Sequence, residues 1–106
     1  MMTSSQDYLK FILGQLESAG DVISRAMMGE YLLYFRGRLF GGIYDDRLLV
    51  KPVEAAKAYM PNATLQVPYE GAKEMLLVEE LDDPEFLCGL LEAMYPELPD
   101  PKPKKR

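Results

Sequence analysis

Residues 25–51, RAMMGEYLLYFRGRLFGGIYDDRLLVK, constrain the fold more than any other part of the chain. Aromatic and aliphatic residues dominate Glu30–Phe35, Leu39–Tyr44 and Arg47–Lys51. Each run is too short for a stable helix and reads as a strand. Arg36-Gly37-Arg38 and Asp45-Asp46 separate them. Glycine takes positive φ without steric cost and aspartate tolerates turn geometry, so both are tight turns. Strands joined this closely must run antiparallel. Gly41 and Gly42 inside the second run predict a bulge or a close approach by a helix. Pro52 stops the third strand.

Helical patterns flank this meander. Ser4 or Ser5 can cap a first helix reaching about Ala19. Its apolar stripe combines Tyr8, Leu9, Phe11, Ile12, Leu13 and Leu16, and Gly20 suits its C-terminus. Val22 to Met28 fits a short strand or an extended lead-in. Val53 to Met60 forms a short helix halted by Pro61. Leu65 to Tyr69 is irregular or a brief strand, and Lys73 to Leu81 is the last strand. Asp83 as N-cap and Pro84 in the first turn start a final helix. Its apolar face is Phe86, Leu87, Leu90, Leu91 and Met94. Helices at the two ends of the chain can cover one face of an antiparallel sheet. The expected fold is α+β in two layers: one domain over residues 1–98 and a mobile Pro/Lys tail over 99–106.

Charge is unevenly distributed. The net charge is −5, yet Lys102, Lys104, Lys105 and Arg106 sit in the last five residues. Without those four, eight bases face 17 acids. Glu70 to Asp100 holds ten acids and one base, Lys73. Such a surface repels a phosphate backbone. Bases concentrate instead in the meander, at Arg25, Arg36, Arg38, Arg47 and Lys51.

Most catalytic chemistry lacks its side chains. The chain contains no histidine and one cysteine, Cys88. It therefore lacks the side chain suited to proton transfer near neutral pH and cannot build a cysteine–histidine zinc site. No phosphate-binding glycine loop is present. Cys88 has no basic neighbour in sequence to lower its pKa and reads as a packed thiol. Asp45-Asp46 and Asp82-Asp83 fall where a turn and a helix cap want aspartate; Glu79-Glu80 reads as solvated surface. No cofactor and no metal are expected. No apolar run approaches the length of a membrane span, and the N-terminus lacks a secretory pattern. With a lone cysteine, a reducing cytoplasm is the expected setting.

Arg25-Ala26-Met27-Met28-Gly29, then Tyr31 and Tyr34, then Tyr44-Asp45-Asp46-Arg47-Leu48-Leu49-Val50-Lys51, and finally Pro68-Tyr69 resemble the N-terminal domain of the TfoX/Sxy family. The resemblance extends over about residues 4–96. Met28 stands where the family carries phenylalanine, Glu30 intervenes between Gly29 and Tyr31, and Gly41-Gly42 leaves the second strand small-sided. The resemblance implies an antiparallel α+β fold similar to secretion chaperones, and no enzymatic role. Longer relatives add a C-terminal helical domain and regulate natural competence genes; this chain is expected to be a stand-alone N-terminal module.

The functional expectation is a non-catalytic bacterial regulatory or adaptor module acting by protein–protein interaction, in transcriptional regulation. Its candidate interaction surface is Arg25, Met28, Tyr31, Tyr34, Arg36, Arg38 and Arg47. The partner is an unknown protein, and an exposed sheet edge or aromatic face also allows a homodimer. The rival is a nucleic-acid-binding accessory protein using Arg25, Arg36, Arg38, Arg47 and the basic tail, with aromatic rings for base stacking. A small carboxylate-based enzyme ranks third and requires a concave pocket around a perturbed acid.

Overall fold

Tight hairpins organise the sheet, among them the turns at 36–37 and 45–46. At the first, Arg36 and Gly37 have φ of 51° and 84°; at the second, Asp45 and Asp46 have φ of 56° and 55°. Two successive left-handed residues match the right-handed twist of the strands they join. The computed structural model describes residues 6–27 and 29–98. Ser4, Ser5, Met28 and the tail 99–106 lie outside the described residues.

The described elements are α1 (Gln6–Gln15), a 3-10 turn (Glu17–Ala19), β1 (Val22–Met27), β2 (Glu30–Phe35), β3 (Arg38–Ile43), β4 (Leu48–Val50), α2 (Glu54–Tyr59), β5 (Leu65–Gln66), β6 (Met75–Leu77) and α3 (Pro84–Met94). A second 3-10 turn, Tyr95–Glu97, follows. The six strands form one antiparallel sheet in the order β1-β2-β3-β4-β6-β5. The expected α+β two-layer architecture is present, and the ambiguous Val22 segment is a full strand. The last strand is shorter than the Lys73–Leu81 pattern predicts, and it inserts between β4 and β5.

All three helices pack on one side. Ile12 and Leu16 from the N-terminal segment, Ala56 and Met60 around α2, and Leu87, Leu90, Leu91 and Met94 from α3 meet Leu33, Phe35, Phe40, Ile43, Leu48, Val50, Leu76 and Val78 in one buried cluster. Side chains alternate along each strand, and the irregularity in β3 at Phe40 brings that ring to the same side as Ile43. Phe11 is 41% exposed and stands outside the stripe assigned to it.

Side-chain bonds between distant segments fix the helix layer. Asp83 caps α3 as expected, its carboxylate accepting the Phe86 N–H at 3.2 Å. Glu97 accepts the Ala55 N–H at 2.8 Å and so satisfies a donor at the start of α2. Gln15 donates to the Leu81 carbonyl at 2.7 Å, tying α1 to the segment before α3. Tyr59 donates to the Phe86 carbonyl at 3.1 Å, and Gly89 leaves room for its hydroxyl.

The double glycine does two jobs. The β2–β3 register shifts between Leu33 and Tyr34, leaving Phe40, next to Gly41, without a facing residue. The close approach comes from other strands and a ring, not from a helix. A Cβ on Gly41 would overlap the Leu49 carbonyl, and one on Gly42 would lie 2.6 Å from the Tyr31 carbonyl and 2.8 Å from the Tyr44 ring.

Candidate interaction surface

Among the described residues, no helix packs on the sheet's second face. Register places Ile23 opposite Tyr34 and Arg25 opposite Leu32. It places Tyr34 opposite Leu39, Leu32 opposite Gly42, Gly42 opposite Leu49, and Leu49 opposite Leu77. These residues point away from the helices. Gly42 has no side chain, so the Tyr44 ring lies across its site and covers the middle of this face. Leu49 beneath is fully buried, whereas Ile23 on the outer strand is 62% exposed.

One end of the face is built by Arg47. Its guanidinium donates to the Tyr44 carbonyl at 3.1 Å, the Gln66 side chain at 2.7 Å and the Pro68 carbonyl at 3.3 Å. The β3–β4 turn is thereby fastened to the segment after β5. That places the Tyr69 ring 6.0 Å from Tyr44, with Tyr69 itself 55% exposed. Glu30 accepts the Asp45 N–H at 3.1 Å, which anchors the same turn from β2.

Burial pushes the Tyr44 hydroxyl above its ordinary pKa of 10.0, reinforced by Tyr69, Glu30 and Tyr34. Burial also raises Tyr8, with Asp46 adding to the shift and a hydrogen bond to the Leu48 backbone opposing it. A phenol that holds its proton more tightly when folded stabilises the fold below its unfolded pKa. That contribution disappears as pH rises through the folded value. The urea midpoint should therefore fall as pH rises above 10.0, the ordinary tyrosine value. Tyr44→Phe should flatten part of that alkaline fall, leaving the Tyr8 share. An unchanged slope in Tyr44→Phe would show that Tyr44 contributes nothing to it.

The candidate residues divide into separate groups. Arg25 and Tyr34 share the helix-free face. Tyr31 points to the other side and packs against the core. Arg36, in the first hairpin turn, pairs with Glu92 at 3.0 Å and stacks 4.5 Å from the centre of the Phe35 ring. Arg38 opens β3 and donates to the carbonyls of Tyr95 and Leu98 at 3.2 and 3.3 Å, with its guanidinium 4.5 Å over the Tyr95 ring. Arg36 and Arg38 thus join the hairpin to α3, and Arg47 joins two loops. Tyr44, one of the rings considered for base stacking, belongs to the face, as do Ile23, Leu32 and Tyr69, which were not singled out from sequence as contact residues. The odd-numbered alternation of β1 was a signal for Ile23. The approach of Tyr69 to Tyr44 has no local signature.

Elsewhere, an open groove of about 190 Å³ lies between α2 and the start of α3. It is lined by Tyr59, Met60, Ala63 and Phe86, with Glu79 and Glu80 at its margin. Both carboxylates are solvent-exposed. Burial, then the Glu92 carboxylate, pushes the Cys88 thiol pKa up, away from the reactive thiolate. Among the described residues, no group of three or more histidine, cysteine or acidic side chains is placed to hold a metal ion. No described helix is long and apolar enough to cross a membrane.

Comparison with known proteins agrees with the resemblance carried by the Asp-Asp-Arg-Leu strand. Residues 14–91 match the model of the TfoX N-terminal domain. The chain is 32% identical over 106 residues to an uncharacterized 12.7 kDa protein in the trpE 5′ region of Spirochaeta aurantia, an alignment covering 98% of this chain and 91% of that one. No solved structure gives a significant match. The matched span begins in α1, takes in every strand and reaches well into α3, so the chain belongs to the TfoX N-terminal domain family.

Proposed function

We propose that this protein is a non-catalytic bacterial regulatory or adaptor module that binds another protein through the helix-free face of its sheet, with transcriptional regulation as its setting. The observation that carries this reading is the asymmetry of the sheet. One face is sealed by three helices, while the other presents Ile23, Leu32, Tyr34, Leu39 and Tyr69. Family membership supports a regulatory role over a metabolic one. The exposed carboxylates of the groove and the raised thiol pKa of Cys88 give no activated acid, base or nucleophile.

Photo-crosslinking in the native host tests this. Crosslinkers at Ile23 and at Tyr34 should capture the same partner protein, and one at Ser18, exposed in the helix layer, should not. Equal capture from all three positions, or none from the face, would reject it. The nucleic-acid reading has a separate signature, an affinity for DNA or RNA that falls steeply with salt. Three of its four structured arginines already bind other parts of this chain, so binding at low salt is expected to be negligible.

A further inference from the structure

β1 ends the sheet, and no described strand pairs with its outer edge. Val22 to Met27 run in unbroken register against β2. Natural edge strands are blunted by brevity, proline, lysine or a bulge. The opposite edge, β5, is two residues long and closely followed by Pro68. β1 is six residues long, contains no proline or lysine and pairs with β2 without a bulge; its one charged side chain is Arg25. We propose that β1 pairs with β1 of a second copy of this chain, antiparallel about a two-fold axis at Ser24, so that two sheets become one.

Backbone direction, side-chain parity and charge together select this register. The Arg36 N–H donates to the Asp21 carbonyl at 2.8 Å, so Asp21 turns its acceptor toward β2. Alternation then turns the backbone groups of Ile23, Arg25 and Met27 inward and those of Val22, Ser24 and Ala26 outward. The Val22 N–H is already taken by the Gly20 carbonyl at 2.7 Å. A two-fold axis normal to the sheet keeps helix side with helix side. Facing residues must therefore both be odd or both be even.

Three registers satisfy that rule near the middle of β1. Centring on Arg25 sets two guanidinium groups directly opposite, which is repulsive. Val22 has no N–H to give in either remaining register, and centring on Ile23 then leaves only two bonds, from each Ser24 N–H to the other copy's Val22 carbonyl, against four when centred on Ser24. Centring on Ser24 lets the two Ser24 residues exchange both backbone bonds, and each Ala26 N–H reaches the other copy's Val22 carbonyl. It also lays each Arg25 stem along Ile23 of the second copy. On the helix side the contact involves only Val22, Ser24 and Ala26, small enough to admit the neighbouring helix layer.

The test is sedimentation equilibrium on the full chain, where a dimer is expected. Ile23 is 62% exposed, so its substitution leaves the protomer intact. Ile23→Glu sets a carboxylate opposite Arg25 at two symmetric places and should tighten the dimer about fivefold; Ile23→Lys should loosen it by a similar factor. Ser24→Cys in a Cys88→Ser background should oxidise to a covalent dimer, since facing Cα atoms lie about 5.5 Å apart in such a pair. Ile23→Cys in the same background should not. A wild-type chain that stays monomeric at about 100 μM overturns the proposal. So do Glu and Lys variants that shift the dimer in the same direction, or equal oxidation of the two cysteine variants. A monomer that still captures its partner through the open face would end this pairing and leave the proposed function standing. A dimer whose face captures nothing would do the reverse.

Discussion

Replacing Gly41 with alanine should destabilise the protein by about 3 kcal/mol, a large share of what a domain of this size has. The added methyl would overlap the Leu49 carbonyl and lie 2.8 Å from the Val50 Cα. Both obstacles are backbone, so no side chain can swing aside. Relief requires β3 and β4 to separate, and these are the two central strands of the sheet. Urea unfolding followed by circular dichroism should show the midpoint falling, and thermal melting should drop by roughly 15 °C. Gly14→Ala is the control. Nothing lies within 4 Å of its Cβ position, and it sits inside α1. Alanine there should stabilise by up to about 1 kcal/mol through helix propensity. If both variants behave alike, the contact with β4 does not determine the glycine.

Arg38→Ala is expected to cost about 3 kcal/mol, several times more than Arg36→Ala. Arg38 bonds two carbonyls at the end of the α3 segment, where the helix leaves acceptors without intrahelical partners. Leu98, whose carbonyl it holds, is 4% exposed. Water therefore reaches these acceptors poorly once the guanidinium is gone. The same group stacks on Tyr95, whose ring meets Phe35 edge-on at 5.6 Å. The Arg36–Glu92 pair is different, because its side chains are 40% and 53% exposed and solvent screens their attraction. Arg36→Ala should cost less than about 1 kcal/mol. Lysine at position 38 should rescue little, since an ammonium cannot reproduce a planar fork and a stacked ring together. Paired urea titrations decide the matter, and equal losses at 36 and 38 would refute the capping role.

These two positions also show how far local sequence carries. The strand–turn–strand order of residues 30–51 was legible because two-residue periodicity and turn chemistry are local properties. Asp83 and Pro84 announced α3 for the same reason. The Gly41-Gly42 bulge was legible too, but the agent of the close approach was not. Leu49, Val50 and the Tyr44 ring become neighbours only when the hairpins fold together. The arginines were harder still. Their clustering in the chain suggested one basic surface, yet Arg38 finds its acceptor 57 residues away and Arg47 finds Gln66 on another strand. A guanidinium that completes another segment's hydrogen bonds is indistinguishable, in a string of letters, from one that awaits a ligand.

The chain by itself determined that residues 30–51 are extended, where they reverse and where α3 begins. Those outcomes follow from φ preferences, caps and apolar spacing within a few residues. Tertiary structure decided that β6 inserts beside β4, that the described helices gather on one face, and that no other described strand pairs with the outer edge of β1. Those outcomes depend on which distant surfaces bury one another and satisfy one another's polar groups.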